Sequence, residues 1–124
     1  MSNQLAKGFT IVELFVVVSS IVVLASITVF GFGSWRERTA KTEVKNELVN
    51  ASNALKDNLN FNNTYPVSGT LGTVYSPKSR VILTYVRRVD MQSYCLRGQS
   101  IENGSVILYI DSTKGQVPST VACN

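Results

Sequence analysis

Few side chains in this sequence could do chemistry, and the most unusual is Glu13, a lone carboxylate at the start of a long apolar run. From Leu14 to Trp35 the chain carries no formal charge. A charged side chain costs ~2.5–3.5 kcal/mol at the centre of a membrane-spanning helix and less near its end. Glu13 therefore either reaches back to an aqueous interface or meets a positive partner in apolar surroundings.

Hydrolytic and metal chemistry find little support in the sequence. The 124-residue chain has no histidine, the commonest metal ligand and general base. Ser112 and Ser119 therefore lack a base that would activate a serine nucleophile. The stretch DSTKGQ, which begins at Asp111, offers one acid and a lysine where a calcium loop needs several oxygen ligands. We predict a plain turn there, and no enzymatic activity, metal or cofactor.

The two cysteines, Cys95 and Cys123, lack the close C-x-x-C spacing of a redox or zinc motif. A disulfide between them would stabilise the fold by roughly 3.5 kcal/mol through the entropy of the closed loop. Such a bond requires an oxidising compartment, which places this part of the chain outside the cytoplasm. The alternative is a pair of buried free thiols.

The apolar run has the length of a membrane span. As a helix, Leu14–Trp35 would extend over roughly 33 Å, against ~30 Å for the hydrocarbon core of a bilayer. Its many β-branched residues favour strand in water, but in lipid a single segment can pair its backbone groups only as a helix. The run is too long for an ordinary secretory signal, and no clear cleavage site follows it. We expect it to be retained as a transmembrane helix.

The stretch KGFTIVEL, which begins at Lys7, resembles the N-terminus of type IV pilins and pseudopilins, and the match extends to about Ala25. The resemblance implies a leader, residues 1–8, that prepilin peptidase removes on the cytoplasmic face by cleaving between Gly8 and Phe9. Phe9 then becomes an N-methylated terminus. Glu13 stands where the family keeps its assembly glutamate.

Processing would create the partner that Glu13 needs. The nitrogen of Phe9 is an uncharged amide before cleavage and a positively charged amine afterwards, in the same or a neighbouring subunit. A desolvated ion pair that loses one member leaves a buried charge that costs ~3–5 kcal/mol. We therefore expect this contact to fix the position at which a subunit joins a filament.

Two positions depart from the family pattern. This chain has Val22 where most members have glycine, and Phe30 where they have proline. Family filaments tend to lose helical hydrogen bonds in that region. Because glycine weakens a helix by ~1 kcal/mol relative to alanine, we predict that any melted stretch shifts toward Gly31–Gly33.

Different features of the sequence predict opposite orientations of the span. Cytoplasmic flanks usually carry the excess of lysine and arginine. Here only Lys7 precedes the span, whereas four basic residues follow it: Arg36, Arg38, Lys41 and Lys45. This count places the C-terminal part inside the cell, whereas the cysteines and the pilin-like motif place it outside, which is the orientation we prefer.

The helix is predicted to continue beyond the membrane, from about Phe9 to Asn60. One apolar stripe recurs at spacings of three and four, and Glu37–Lys41 is a favourable pair on the same helix. The stripe consists of Val44, Leu48, Ala51, Leu55 and Leu59. Glu43 and Glu47 are assigned to the solvated faces.

Strand-like runs follow at Arg80–Val86, Met91–Gly98 and Ser105–Asp111, rich in valine, isoleucine and tyrosine. We predict an α+β pilin fold, in which the long helix packs on a small antiparallel sheet of three or four strands. The expected parts are a leader (1–8), a transmembrane or filament-core helix (9–35), an amphipathic continuation (36–62) and a β-rich head (63–124) with a C-terminal disulfide loop.

The resemblance implies a structural subunit that is stored in the inner membrane with its head outside and then polymerised into an extracellular homo-oligomeric filament. Its implied partners are prepilin peptidase, other pilins and an inner-membrane assembly platform, and its implied roles are adhesion, motility or DNA uptake. The alternative is a minor or tip pilin, or a type II secretion pseudopilin, whose basic head binds DNA or a surface. Six residues could form that basic patch: Lys78, Arg80, Arg87, Arg88, Arg97 and Lys114. A membrane-anchored enzyme or sensor is the third option, for which the sequence offers no constellation of residues.

Overall fold

The computed structural model describes residues 8–78 and 80–124. Within them the elements are helix α1 (Ile11–Asn62), a 3-10 turn (Leu71–Thr73) and strands β1 (Val81–Arg87), β2 (Tyr94–Ser100) and β3 (Ile107–Asp111). The chain divides into two units, one up to Trp35 and the other Arg36–Asn124. The long helix and the antiparallel sheet packed on it confirm the predicted α+β fold class.

Helix α1 ends two residues later than predicted, at an asparagine that stops it. Asn63 has a φ of 57°, and its backbone N–H donates to the carbonyl of Leu59 at 2.8 Å. Asparagine tolerates this left-handed conformation better than most residues, so it commonly terminates helices. The asparagine-rich stretch therefore ends the helix as the sequence predicts.

The first half of α1 exposes its large apolar side chains on all sides, from Ile11 to Trp35. Its hydroxyl groups bond to the carbonyls of the preceding turn, as in Ser20 Oγ to Val16 O at 2.7 Å and Ser26 Oγ to Val22 O at 2.8 Å. This part of the helix is long and apolar enough to cross a membrane. A helix that is apolar all round needs lipid or other helices around it.

The second half of α1 supplies one side of the core of the head. Val44, Leu48 and Leu55 are fully buried, and Leu59 packs at the edge of the same cluster. The opposite side comes from the inward-facing residues of the three strands, from the 63–78 loop and from Val106, the residue before β3. These residues are Tyr65, Leu71, Val81, Tyr85, Tyr94, Leu96, Val106, Leu108 and Ile110. The predicted stripe is therefore the contact face.

The prediction that Glu47 lies on a solvated face of α1 is wrong. Its side chain is buried, and its carboxylate accepts hydrogen bonds from the Tyr75 hydroxyl at 2.7 Å and the Lys78 backbone N–H at 3.3 Å. A buried carboxylate is tolerated when donors satisfy its oxygens. Glu47 thus ties the 63–78 loop to the helix, a tertiary contact that helical periodicity alone does not reveal.

The sheet has β2 at its centre, with β1 and β3 antiparallel on either side. Strand β2 alternates buried and half-buried residues along its whole length, as expected for a strand with one face on the core. It begins at Tyr94 rather than Met91 because the preceding residues form a turn. Asp90 Oδ1 accepts the backbone N–H groups of Gln92 and Ser93 there, and Met91 has a φ of 60°.

Three tyrosines fill the part of the core near the end of the helix. The ring of Tyr94 lies edge-on to Tyr65 at 4.8 Å and is tilted against Tyr85 at 5.9 Å between centroids. The Tyr94 hydroxyl bonds to the buried Ser52 Oγ at 2.9 Å, and Tyr85 donates to the carbonyl of Pro66 at 2.8 Å. Burial raises the pKa of Tyr85 to about 12. Each buried hydroxyl is therefore neutral and satisfied.

Gly98 is where the backbone of β2 comes closest to α1. A Cβ at this position would lie 2.9 Å from Val44 Cγ1 and 3.0 Å from Leu48 Cγ. Both neighbours are fully buried core side chains, which have little room to move. Glycine in this strand therefore sets the distance between helix and sheet, as expected where two backbones approach closely.

We expect Gly98→Ala to destabilise the head by about 1–3 kcal/mol, because the new methyl group overpacks the contact with Val44 and Leu48. The measurement is thermal or denaturant unfolding of the full chain in detergent, followed by the near-ultraviolet circular dichroism of the buried tyrosines. Gly72→Ala is the matched control, since a Cβ there meets nothing within 4 Å. Equal stabilities of the two variants would contradict this account of Gly98.

Candidate functional sites

Thr10 and Glu13 form a reciprocal cap at the start of α1. Glu13 Oε2 accepts the Thr10 backbone N–H at 2.9 Å and the Thr10 hydroxyl at 3.1 Å. In return, Thr10 Oγ1 accepts the Glu13 backbone N–H at 3.2 Å. This is a capping box, which satisfies two backbone donors that a helix N-terminus otherwise leaves unpaired.

The cap gives Glu13 a local function that the sequence reasoning missed. The signal was present as T-x-x-E, Thr10 to Glu13, directly before the apolar run. One carboxylate oxygen is already satisfied within the isolated subunit, while Oε1 has no hydrogen-bond partner among the described residues. Glu13 can therefore cap its own helix and still offer an oxygen to another group.

The processing and hinge predictions concern states other than the isolated chain. The predicted leader lies outside the described residues except for Gly8, and the side chain of Phe9 is exposed. Gly31 and Gly33 lie within α1, which is helical across both. Melting at these glycines is a prediction for the filament.

The C-terminal tail is fastened to the sheet at two points. Cys95 on β2 and Cys123 form a disulfide. Tyr109 of β3 and Ser119 of the tail exchange two backbone hydrogen bonds, at 2.7 and 2.8 Å. The tail thereby covers part of the outer edge of β3, which would otherwise leave backbone groups unpaired.

A third link joins Arg88, Asp111 and the last residue. Arg88 Nη2 donates to Asp111 Oδ2 at 2.9 Å and to the Asn124 backbone oxygen at 2.7 Å. Asp111 Oδ1 accepts the hydroxyl and the backbone N–H of Thr113. Hydrogen bonds from Thr113, together with the Arg88 guanidinium, hold the pKa of Asp111 below its ordinary value. The stretch DSTKGQ is a turn held by this carboxylate.

Three arginines of the predicted basic patch are engaged by partners within the same folded unit. Arg80 lies 3.7 Å from Glu43 and 3.6 Å from Glu102. Arg87 donates to the carbonyl of Tyr65, and Arg88 is engaged as described. These partners lie within the head, so a DNA-binding surface gains no geometric support and stays a prediction.

We expect Asp111→Asn to lower the stability of the head at neutral pH, because asparagine leaves Arg88 without its counter-charge. The folded pKa of Asp111 is depressed, so its contribution is fully present above the unfolded value and is lost as pH falls through the folded value. The difference between wild type and variant should therefore shrink as the solution becomes acidic. Unfolding curves across pH measure this, with Asp57→Asn on the exposed face of α1 as control. A difference independent of pH would contradict the assignment.

Comparison with known proteins agrees with this arrangement. No family model matches the chain. The chain is 25% identical over 105 residues to the type IV major pilin protein PilE1 of Neisseria gonorrhoeae. The alignment covers 82% of this chain and 62% of that protein, so the chain spans about three fifths of the length of the relative it matches. Sequence and fold together make this chain similar to a type IV pilin over most of its length.

Proposed function

We propose that this protein is a type IV pilin-like structural subunit, which is stored in a membrane through the first half of α1 and polymerises through the same surface. The observation that carries the proposal is the exposure of that half of the helix on all sides. Its large apolar side chains have no core of their own, so lipid or neighbouring helices must cover them. Similarity to a type IV major pilin supports the same conclusion.

Polymerisation requires a device that selects one position along this smooth apolar surface. The proposed device is an ion pair between Glu13 and the amine that cleavage after Gly8 creates on Phe9 of a neighbouring subunit. The capping box supports this role because it holds the Glu13 carboxylate at the helix start with Oε2 engaged and Oε1 available. The contact forms only after processing by a prepilin peptidase.

The head is proposed to lie outside the cell, first at the outer face of the inner membrane and then on an extracellular filament. The disulfide between Cys95 and Cys123 supports an oxidising location. The implied machinery is an assembly platform that takes other pilins as well. Adhesion, motility, DNA uptake and secretion remain alternative uses of such a filament.

Glu13→Gln separates the two roles of the glutamate. Glutamine can accept the same hydrogen bonds from Thr10, since both residues serve in capping boxes, but it carries no charge. We expect filament incorporation of Glu13→Gln to fall more than a hundredfold, in line with ~3–5 kcal/mol for breaking a desolvated pair. The measurement is the ratio of sheared filament protein to membrane-stored subunit in cells.

Glu37→Gln is the matched control, because Glu37 is exposed on the second half of α1, and it should assemble normally. Normal assembly of Glu13→Gln, with loss only in Glu13→Ala, would show that capping suffices and would contradict the ion-pair proposal.

Processing is tested on the mature protein by intact mass and N-terminal sequencing. We expect a chain that begins at N-methylated Phe9 and that weighs two hydrogens less than its reduced form, because Cys95 and Cys123 are oxidised. A mature chain that retains residues before Phe9 would contradict the proposed maturation.

A further inference from the structure

Three basic side chains form a row on one face of α1 directly after the apolar segment. Arg38, Lys41 and Lys45 are spaced by three and four residues, so they lie above one another on the helix surface. All three are exposed. Among the described residues, none of the ion pairs involves this row, and Glu37 does not pair with Lys41 as the sequence suggested. We call Arg38, Lys41 and Lys45 the basic row.

The basic row differs from the arginines of the head, which bind partners within the fold. Glu43 lies between Lys41 and Lys45 in the sequence, but its carboxylate is 3.7 Å from the guanidinium of Arg80 and does not pair with the row. Residues 36–45 contain four basic and two acidic residues, a net charge of +2. The three exposed side chains of the basic row are therefore available to an external anion.

We propose that the basic row binds the phosphate headgroups of anionic phospholipids at the outer surface of the membrane that stores the subunit. This inference rests on the membrane storage in the proposed function. A bilayer is ~30 Å thick in its hydrocarbon core and ~40–45 Å with headgroups, so each headgroup layer is roughly 5–8 Å deep. With the helical rise of ~1.5 Å per residue, Arg38 and Lys41 follow Trp35 by roughly 5 and 9 Å along α1, and Lys45 follows it by roughly 15 Å, at the outer limit of side-chain reach.

The side chains have the reach to complete the contact. Long lysine and arginine side chains extend toward the headgroups while their carbon stems lie along apolar surface. Trp35, at the end of the apolar run, is exposed and is of the type that marks a membrane interface. Each basic residue near an anionic surface strengthens attachment about fivefold.

The contact explains why basic residues follow Trp35 on the side of the membrane where the positive-inside rule does not predict them. It holds the stored subunit against the outer leaflet, so extraction into a filament must break it. The same attraction weakens with salt, because screening shortens the range of surface charge.

The first experiment places the full chain in nanodiscs of phosphatidylcholine, with or without phosphatidylglycerol. A water-soluble amine-acylating reagent then labels the lysines, and peptide mass spectrometry gives the rate at each site. We expect Lys41 to react several-fold more slowly in the anionic discs and Lys45, farther along the helix, to slow by a smaller factor, with both effects reversed by high salt. Lys56 and Lys114 are internal controls and should change little. Equal rates in the two lipids would overturn the proposal. Fast labelling in both would mean that nothing covers the row, and slow labelling in both would mean that a second copy or internal carboxylates protect it whatever the lipid.

The second experiment compares two triple variants that lose the same charge. Arg38→Gln/Lys41→Gln/Lys45→Gln removes the basic row, and Lys56→Gln/Lys78→Gln/Lys114→Gln removes three exposed lysines elsewhere. We expect the phosphatidylglycerol retained per chain after detergent extraction to fall at least tenfold in the first variant only. Equal losses in both would overturn the proposal.

Insertion into the discs is measured separately by the fluorescence of Trp35. A chain that does not enter them contradicts membrane storage and this inference together. Normal insertion without a lipid preference contradicts the basic row alone.

Discussion

The two halves of helix α1 face different surroundings: the first half needs an apolar environment on every side, and the second half packs on the sheet of the head. Its first half presents apolar side chains on every face, and the serine and threonine hydroxyls there bond back to carbonyls of the same helix, so these hydroxyls need no partner in lipid. Its second half presents one apolar stripe to a sheet and keeps charges on the other faces. The change from an all-round apolar surface to a stripe separates the part of α1 that is proposed to form the filament from the folded head.

The head is small, and it compensates with close packing and cross-links. Gly98 lets β2 approach Val44 and Leu48 at a distance that no other residue permits without displacement. The disulfide, the Tyr109–Ser119 bridge and the Arg88–Asp111 pair then hold the tail over the edge of β3. A domain of this size gains little from core burial alone, so such fastenings contribute a large share of its stability.

Glu13 illustrates how one side chain serves a local and an intermolecular purpose. Within the subunit it caps the helix through Thr10, which donates two hydrogen bonds to its carboxylate. In the proposed filament its second oxygen meets a new amine. The two uses are compatible because a carboxylate accepts several hydrogen bonds at once. This division removes the apparent cost of placing a carboxylate at the edge of an apolar helix.

The elements that could be predicted from the sequence are those whose signals are local. Hydropathy predicts the membrane-length segment, a spacing of three and four predicts the stripe on α1, and the asparagines predict its end to within two residues of Asn62. The strands were found within about three residues of their bounds, because β-branched and aromatic runs mark them and only the turn at Met91 misled. The T-x-x-E cap was equally local and was readable at Thr10.

The contacts that join distant parts of the chain could not be predicted from the sequence and became visible in the folded structure. Helical periodicity places Glu47 on a polar face, but the 63–78 loop folds over it and buries it with Tyr75. Gly98 looks like a weak point in a strand until Val44 and Leu48 lie against it. Six basic residues could form one surface by sequence, yet the guanidinium groups of Arg80, Arg87 and Arg88 meet carboxylates and a carbonyl that are distant in sequence. Local pattern fixes which face of an element is apolar, whereas the partner of a polar group depends on which segment arrives next to it in three dimensions.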